Sequence, residues 1–385
     1  MMKTILKRCG NFGRIFFLCC LLTACSKPEI RWDKVDAIPV NVKPTLKVYM
    51  ENSGSMDGYM CDGAELKDDV YSYVSALNGY VDTTELHYIN TQIVSCKKNM
   101  QDFVRNLTPT ILHSTGGNTA HSEISDMLEL ILSSSNKNTV SMFVSDCIID
   151  VPQGDAQKFL GLRRTDITNS LTAYQSKDRE VGVEVMRMES KFDGLFYSTN
   201  GSKKINKIRP YYIIMIGNKH LLAELNRRVP FTKFQHSVKD YCAFTSTDKL
   251  PFDMTNSFGI TSAKHKISLE SSHGGIYVYK ANVDLSETLQ MDNILLKTDS
   301  YRIDNQSIAL SAVSNTERPY THSITFDITK DFKPSLVKVS IKKDNPTWLE
   351  KANEETIGIK DIVEGISDAF RDDNVGTFCY TILIK

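Results

Sequence analysis

The stretch Tyr49–Met60, YMENSGSMDGYM, sets one acid and two hydroxyls at every second position: Glu51, Ser53 and Ser55. Alternate residues of an extended chain point the same way, and Gly54 lets the backbone curl, so three oxygens can converge on one space. Three uses suit them: a cradle for a hard divalent cation, a nucleophile, or a tight turn. A cation such as Mg²⁺ takes oxygen ligands in octahedral array and keeps some waters, so further oxygens must come from other strand ends. Thr119, in the Gly-rich stretch STGGNTAHSE, and Asp146, in MFVSDCIID, are placed to supply them. For a serine nucleophile, His87, His113 or His121 would be the base and Asp146 the orienting acid. A hydrolase elbow reads Gly-x-Ser-x-Gly, and Asn52–Ser53–Gly54–Ser55–Met56 lacks the first glycine. Asp57 is either a further ligand or a turn residue in Met56–Asp57–Gly58, and Asp150 is either a second acid near the site or the start of a loop. Tyr59 and Met60 are either core or an apolar rim for a partner.

The elements that must hold these residues follow from periodicity. Leu46–Met50 alternates as a strand ending at Glu51. Ala64–Leu77 predicts a helix with Leu66, Val70, Tyr73, Val74 and Leu77 on one face, and Ser122–Leu132 another with Ile124, Met127, Leu128, Ile131 and Leu132 as its stripe. Glu85–Asn90 is a short strand, Met100–Leu107 a short helix, and Thr139–Ser145 a nearly continuous apolar strand of the kind buried on both faces. A helix at about Asp155–Tyr174, strands at Val181–Met188 and Tyr211–Ile216, and a helix at Lys219–Arg227 complete an alternation that predicts a doubly wound, mostly parallel α/β sheet. The polar Ser190–Pro210 is expected to be an exposed insertion. In such sheets sites form at the carboxyl ends of strands, where Glu51 and Asp146 both fall.

Past about residue 235 strands follow one another without helices: Ile276–Val283, Asn293–Lys297, Ile308–Val313, His322–Ile328 and Leu336–Ile341. This predicts a β-rich, sandwich-like C-terminal domain, with one late helix at Lys360–Phe370 and a last strand at Phe378–Ile384.

In that setting Glu51-x-Ser53-x-Ser55, Thr119 and Asp146 resemble the metal-ion-dependent adhesion site of von Willebrand factor type A domains, over roughly residues 45–230. That family carries Asp-x-Ser-x-Ser after its first strand, a Thr from a later loop and an Asp after its fourth strand. The resemblance implies that Ser53 and Ser55 bind the cation through their hydroxyls, that Thr119 is a direct or water-mediated ligand, and that Asp146 acts through water or as an outer acceptor. It implies Mg²⁺, with Mn²⁺ or Ca²⁺ as substitutes, and a partner protein whose carboxylate completes the coordination. Glu51 stands where the family has Asp and reaches one methylene further.

The N-terminus carries a second resemblance. A basic stretch precedes the apolar run Ile15–Leu22, too short to span a bilayer and suited to the core of a secretory signal. It ends in Leu22–Thr23–Ala24–Cys25, which resembles the bacterial lipobox and implies cleavage before Cys25 and lipid on its sulfur. The expected organisation is a signal peptide over 1–24, a lipidated tether over 25–44, a type A-like domain over 45–232 and the β-rich domain over 233–385.

The 385 residues carry 46 bases and 46 acids. The first 24 hold four bases and no acid, so the remainder leans acidic and offers no aromatic-plus-basic cluster for nucleic acid. Of nine cysteines, five lie beyond Cys25: Cys61, Cys96, Cys147, Cys242 and Cys379. They contain no CxxC pair; Cys61 and Cys96 are the one pair considered for a disulfide, with buried free thiols as the alternative. Cys147 and Cys379 read as core. The sequence therefore predicts a non-enzymatic, lipid-anchored protein of the cell envelope, placed in the outer membrane. It would bind a protein partner through a divalent cation and use no small-molecule cofactor. A metal-independent structural subunit and a serine-type hydrolase are the alternatives.

Overall fold

The computed structural model describes residues 27–119, 123–152, 154–176, 180–198, 201–247, 249–256, 264–270, 276–343, 346–372 and 374–384. The signal segment, Cys25 and His121 lie outside the described residues. In chain order the elements are β1 (Pro28–Arg31), β2 (Thr45–Glu51), α1 (Glu65–Leu77), β3 (Thr83–Ile89), β4 (Ile93–Cys96), α2 (Pro109–His113), α3 (Ile124–Ser133), β5 (Thr139–Ser145), α4 (Ala156–Gln175), β6 (Val181–Ser198), β7 (Gly201–Asn218), α5 (Lys219–Arg228) and β8 (Asp240–Thr245). The second half adds β9 (Phe252–Asn256), β10 (Lys266–Ser268), β11 (Tyr277–Val283), α6 (Asp292–Leu295), β12 (Tyr301–Ile303), β13 (Ile308–Asn315), β14 (His322–Ile328), β15 (Ser335–Lys342), α7 (Leu349–Glu355), α8 (Ile359–Ala369) and β16 (Asn374–Ile384).

A seven-stranded mixed sheet, ordered β4-β3-β2-β5-β7-β6-β8, carries the candidate site. Its centre is parallel, β2 lying between β3 and β5 with Val48 opposite Leu86 and Met142. Every residue of β5 is buried, which is why its sequence is apolar without alternation. One face is covered by α1 and α5, with Leu66, Val70, Tyr73 and Leu222 against Val48, Met142 and Ile213. The other is covered by α3, α4 and α8, with Ile131, Leu171 and Ile362 against Tyr49, Phe143 and Ile214. Local signals fix the helix starts: Asp155 accepts from Lys158 N at 3.0 Å and Asn218 from His220 N at 2.9 Å, each satisfying a first-turn donor.

The sheet is not mostly parallel. Apart from the two pairings of β2, its ladders are antiparallel: β3 with β4, β5 with β7, β7 with β6 and β6 with β8. Ser190–Pro210 is largely exposed, as expected, but it is an extension of the two strands rather than an insertion between them. β6 and β7 pair from Val181–Asn218 out to Ser198–Gly201, so two residues join them. A two-residue connection allows only an antiparallel hairpin.

A five-stranded sheet (β10-β1-β16-β15-β12) and a four-stranded sheet (β13-β14-β11-β9) enclose a separate core of Ile30, Met254, Tyr279, Phe326, Val337 and Ile382 among others. The segment expected as a tether over 25–44 supplies β1 to this core, and Trp32 Nε1 donates to Asp253 at 2.8 Å. Beyond residue 232, β8 extends the seven-stranded sheet, and the late helix α8 packs on α4, with Thr168 Oγ1 donating to Gly365 O at 2.9 Å. Asn293–Lys297 is not a strand: Asp292–Leu295 forms a short helix, with Ile294 N and Leu295 N both bonded to Met291 O. Cys379 is exposed rather than core, because β16 alternates and turns Phe378 and Tyr380 inward instead. All five described cysteines, Cys61 and Cys96 included, are free thiols.

His220 joins the two halves. On α5 its Nδ1 lies 2.6 Å from Glu287, in the turn Ser286–Thr288, and its Nε2 lies 2.5 Å from Glu180. The hydrogen bond to Glu287 and the charge of both carboxylates raise its pKa above the ordinary histidine value, against the effect of burial. A raised folded-state pKa makes the charged ring fully stabilising below the unfolded value of about 6.5, with the contribution lost as pH climbs through the folded value. The melting-temperature gap between the native chain and His220→Gln is expected to be widest in mild acid and to shrink above neutrality. A gap independent of pH in thermal melts would count against a charged clamp.

Candidate functional site

β2 delivers Glu51 to the carboxyl edge of the sheet, and β5 delivers Ser145 and Asp146 to the same edge. Between them the chain turns through Gly54–Met60, a 3-10 turn with Met56, Tyr59 and Met60 buried beneath it. Tyr59 and Met60 therefore belong to the core and form no rim.

The predicted residues meet. Glu51, Ser53 and Asp146 are 0%, 2% and 1% exposed. Ser53 Oγ donates to Glu51 Oε1 at 2.5 Å and lies 2.9 Å from Ser55 Oγ. Thr119 is brought in through its backbone: its carbonyl accepts from Gly54 N at 3.0 Å. Ser55 and Thr119 are half-buried and form the open side of the cluster.

Four residues that sequence reasoning did not single out complete it. Ser145 Oγ donates to Glu51 Oε2 and in turn accepts from Cys147 N at 2.7 Å. The longer glutamate side chain thus has one carboxylate oxygen on Ser53 and the other on a hydroxyl of the neighbouring strand. Asn52, fully buried, donates from Nδ2 to Thr115 Oγ1 at 2.7 Å and Gly116 O at 3.1 Å, and Asn90 Nδ2 donates to the same carbonyl at 3.1 Å. These amides hold the Gly-rich loop that carries Thr119. Gly117 has φ +77°, and a side chain there would place its Cβ 2.0 Å from Asn90 Oδ1. Arg209, 3% exposed, stacks its guanidinium 4.0 Å from the Phe196 ring centroid and donates from Nη2 to Glu355 O at 2.9 Å. The signal for Ser145 and Asn52 was adjacency to Asp146 and Glu51; the buried arginine left no local signal.

The electrostatics are those of crowded acids. Asp146 accepts from Ile148 N at 3.2 Å through Oδ1, while among the described residues its buried Oδ2 has no well-aligned hydrogen-bond partner. Burial first, and the Glu51 charge second, push its pKa up to about 7, with Ser55 and Arg209 acting in the opposite direction. An unpartnered buried carboxylate oxygen is costly unless something positive faces it. Glu51, Ser53, Ser55, Asp146 and, through its loop, Thr119 form an all-oxygen donor set of the kind that suits a hard cation. Among the described residues no group of three or more His, Cys, Asp or Glu side chains converges as a metal site, so any cradle here depends on its hydroxyls.

The described candidate histidines are elsewhere. His87 stacks on Tyr49 with centroids 5.1 Å apart and bonds Glu85 at 3.4 Å. His113 bonds Asp57 at 2.8 Å, so Asp57 braces the turn against α2. Among the described residues no histidine is hydrogen-bonded to Ser53 or Ser55, and Ser53 donates to a carboxylate instead. Asp150 is exposed.

The β6–β7 hairpin leans on the site. Phe192 packs edge-on against Tyr59 at 4.9 Å, and a Cβ on Gly194 would fall 2.6 Å from Gly58 Cα. Backbone this close leaves no room for a methyl, so Gly194→Ala is expected to cost about 1–3 kcal/mol in urea unfolding. A loss under a few tenths of a kcal/mol would show that the hairpin moves freely off the turn.

Among the described residues no helix is long and apolar enough to cross a membrane. Comparison of the chain with family models, with curated proteins and with solved structures yields no match.

Proposed function

We propose that this chain is an envelope lipoprotein, anchored through Cys25, that binds a partner protein through a divalent cation held by Ser53, Ser55, Glu51 and Asp146, with Thr119 from the Gly-rich loop. The observation that carries the reading is the pair of buried carboxyls, Glu51 and Asp146, with one Asp146 oxygen that has no hydrogen-bond partner among the described residues. A cation there, Mg²⁺ foremost and Mn²⁺ or Ca²⁺ as substitutes, supplies Lewis acidity and an exchangeable ligand position. The chain's own work is to hold the hydroxyls in line and to leave the Ser55–Thr119 side open for a partner's carboxylate. The type A-like resemblance supports the same reading through the order of the five residues along the chain.

Calorimetric titration of Mg²⁺, Mn²⁺ and Ca²⁺ into the chain from Ser26 onward tests it. A one-to-one isotherm for at least one of the three is expected. A second reading, a metal-independent structural subunit of an envelope complex, is favoured by one feature: both Glu51 carboxylate oxygens already accept hydroxyl hydrogens. No heat with any cation would leave that reading standing.

A further inference from the structure

We propose that the arm of the β6–β7 hairpin, residues 190–209, is a docking surface for an acidic segment of the partner protein, beside the metal loop. For the partner's contact with the cation this rests on the reading above; for the arm it rests on charge and placement.

The arm projects. β8 pairs with β6 only up to Arg187, and β5 with β7 only from Tyr212 onward, so beyond them the two strands have no other strand neighbour among the described residues. The root packs on the Gly54–Met60 turn as far as Gly194–Ile205, and the four pairs beyond it, at roughly 3.3 Å each, reach about 13 Å further. The arm carries four lysines (Lys191, Lys203, Lys204 and Lys207) against one acid, Asp193, its fifth base, Arg209, being buried. The rest of the chain beyond the signal segment is acidic. Lys203, Lys204 and Lys207 are exposed. Lys204 lies 3.9 Å from Asp193, while Lys203 and Lys207 have no ion pair among the described residues. Lys203 and Lys207 share one face of the ladder with Phe196 and the buried Phe192, while Lys204 shares the other with Leu195 and Ile208, which are 46% and 55% exposed. Cationic heads with apolar neighbours suit a carboxylate-rich peptide that also presents aliphatic groups.

The arm is tied to the candidate site at its root. Lys191 N donates to Glu65 Oε2 at 2.6 Å, Lys191 Nζ to Asp62 O at 3.0 Å, and Gly194 lies against Gly58 in the metal loop. A ligand whose carboxylate reaches the Ser55–Thr119 opening would therefore meet lysines next to it.

The test uses the chain from Ser26 onward, which carries every element described. Fluorescence anisotropy of a labelled ten-residue oligo-aspartate is read with and without Mg²⁺, against an oligo-asparagine control. The expected result is salt-sensitive binding to oligo-aspartate alone, weakened about tenfold or more by Lys203→Glu, Lys204→Glu and Lys207→Glu together, with cation titration unchanged in that variant. If the lysine variant loses binding while Mg²⁺ has no effect on the native chain, the arm stands and the cation reading fails. Unchanged binding in the lysine variant overturns the arm. Lysine-dependent sedimentation with phosphatidylglycerol vesicles, without peptide binding, overturns it in favour of a membrane contact.

Discussion

Replacing Ser53 and Ser55 together by alanine is expected to abolish the heat of Mg²⁺ binding while leaving the chain folded. Ser53 Oγ bonds Glu51 and lies 2.9 Å from Ser55 Oγ, and Ser55 acts on Asp146, so the variant removes two neutral oxygens that the turn aims at the acids. What remains is Glu51 beside Asp146, two like charges that burial already disfavours, and a hard cation is poorly held by two acids without the ligands that complete its shell. The fold itself depends little on these hydroxyls. Glu51 keeps the Ser145 donor, and losing Ser53 removes one bond to a charged group, about 1.5–3 kcal/mol. Calorimetry reads the first effect and circular-dichroism melting the second. Undiminished binding in the double variant would sink the assignment of the serines as ligands. Loss of folding would call for the single variants, each expected to weaken binding by less than the pair.

Arg209→Ala is expected to be the most destabilising single change near the site, by about 3–4 kcal/mol. Two contributions add. The guanidinium lies 4.0 Å from the Phe196 ring centroid and is almost wholly desolvated, where a cation–π contact is worth about 2 kcal/mol. It also donates to Glu355 O at 2.9 Å, a charged hydrogen bond worth about 1.5–3 kcal/mol, and alanine leaves that carbonyl short of its donor. Some of this is recovered when water enters, hence the lower total. The effect reaches the chemistry as well, since Arg209 is one of the groups that hold Asp146 down, and its removal drives that carboxyl further upward. Arg209→Lys keeps the charge but not the planar stack and is expected to recover only part of the loss. Urea midpoints at constant m-value measure both. A loss below about 1 kcal/mol for alanine would show that the arm's root does not depend on this side chain.

The same residues show how far a sequence carries. β2, β5, α1 and α3 were legible because their apolar spacing is a local property, set by which face must leave water. That Glu51, Ser53, Ser55 and Asp146 close strands on one edge followed from those elements, and the structure brings them together. Ladder direction did not follow. Val181–Met188 and Tyr211–Ile216 have the apolar texture of parallel core strands, and only the short Ser198–Gly201 connection turns them into an antiparallel hairpin. The polar residues of Ser190–Pro210 gave no sign of this pairing, because an arm largely outside the core has no apolar period to display.

What the sequence by itself determined is the alternating strand and helix order of the first half, the β-rich second half, and the chemical type of the candidate site: oxygens, acidic, at strand ends. Only the tertiary structure decided that Ser145 takes the second oxygen of Glu51, that Arg209 lies buried under Phe196, and that α8 closes the far face of the sheet. Periodicity is written in neighbours a few residues apart. These contacts join positions 94, 146 and 197 residues apart, and their geometry exists only once the sheet has chosen its partners.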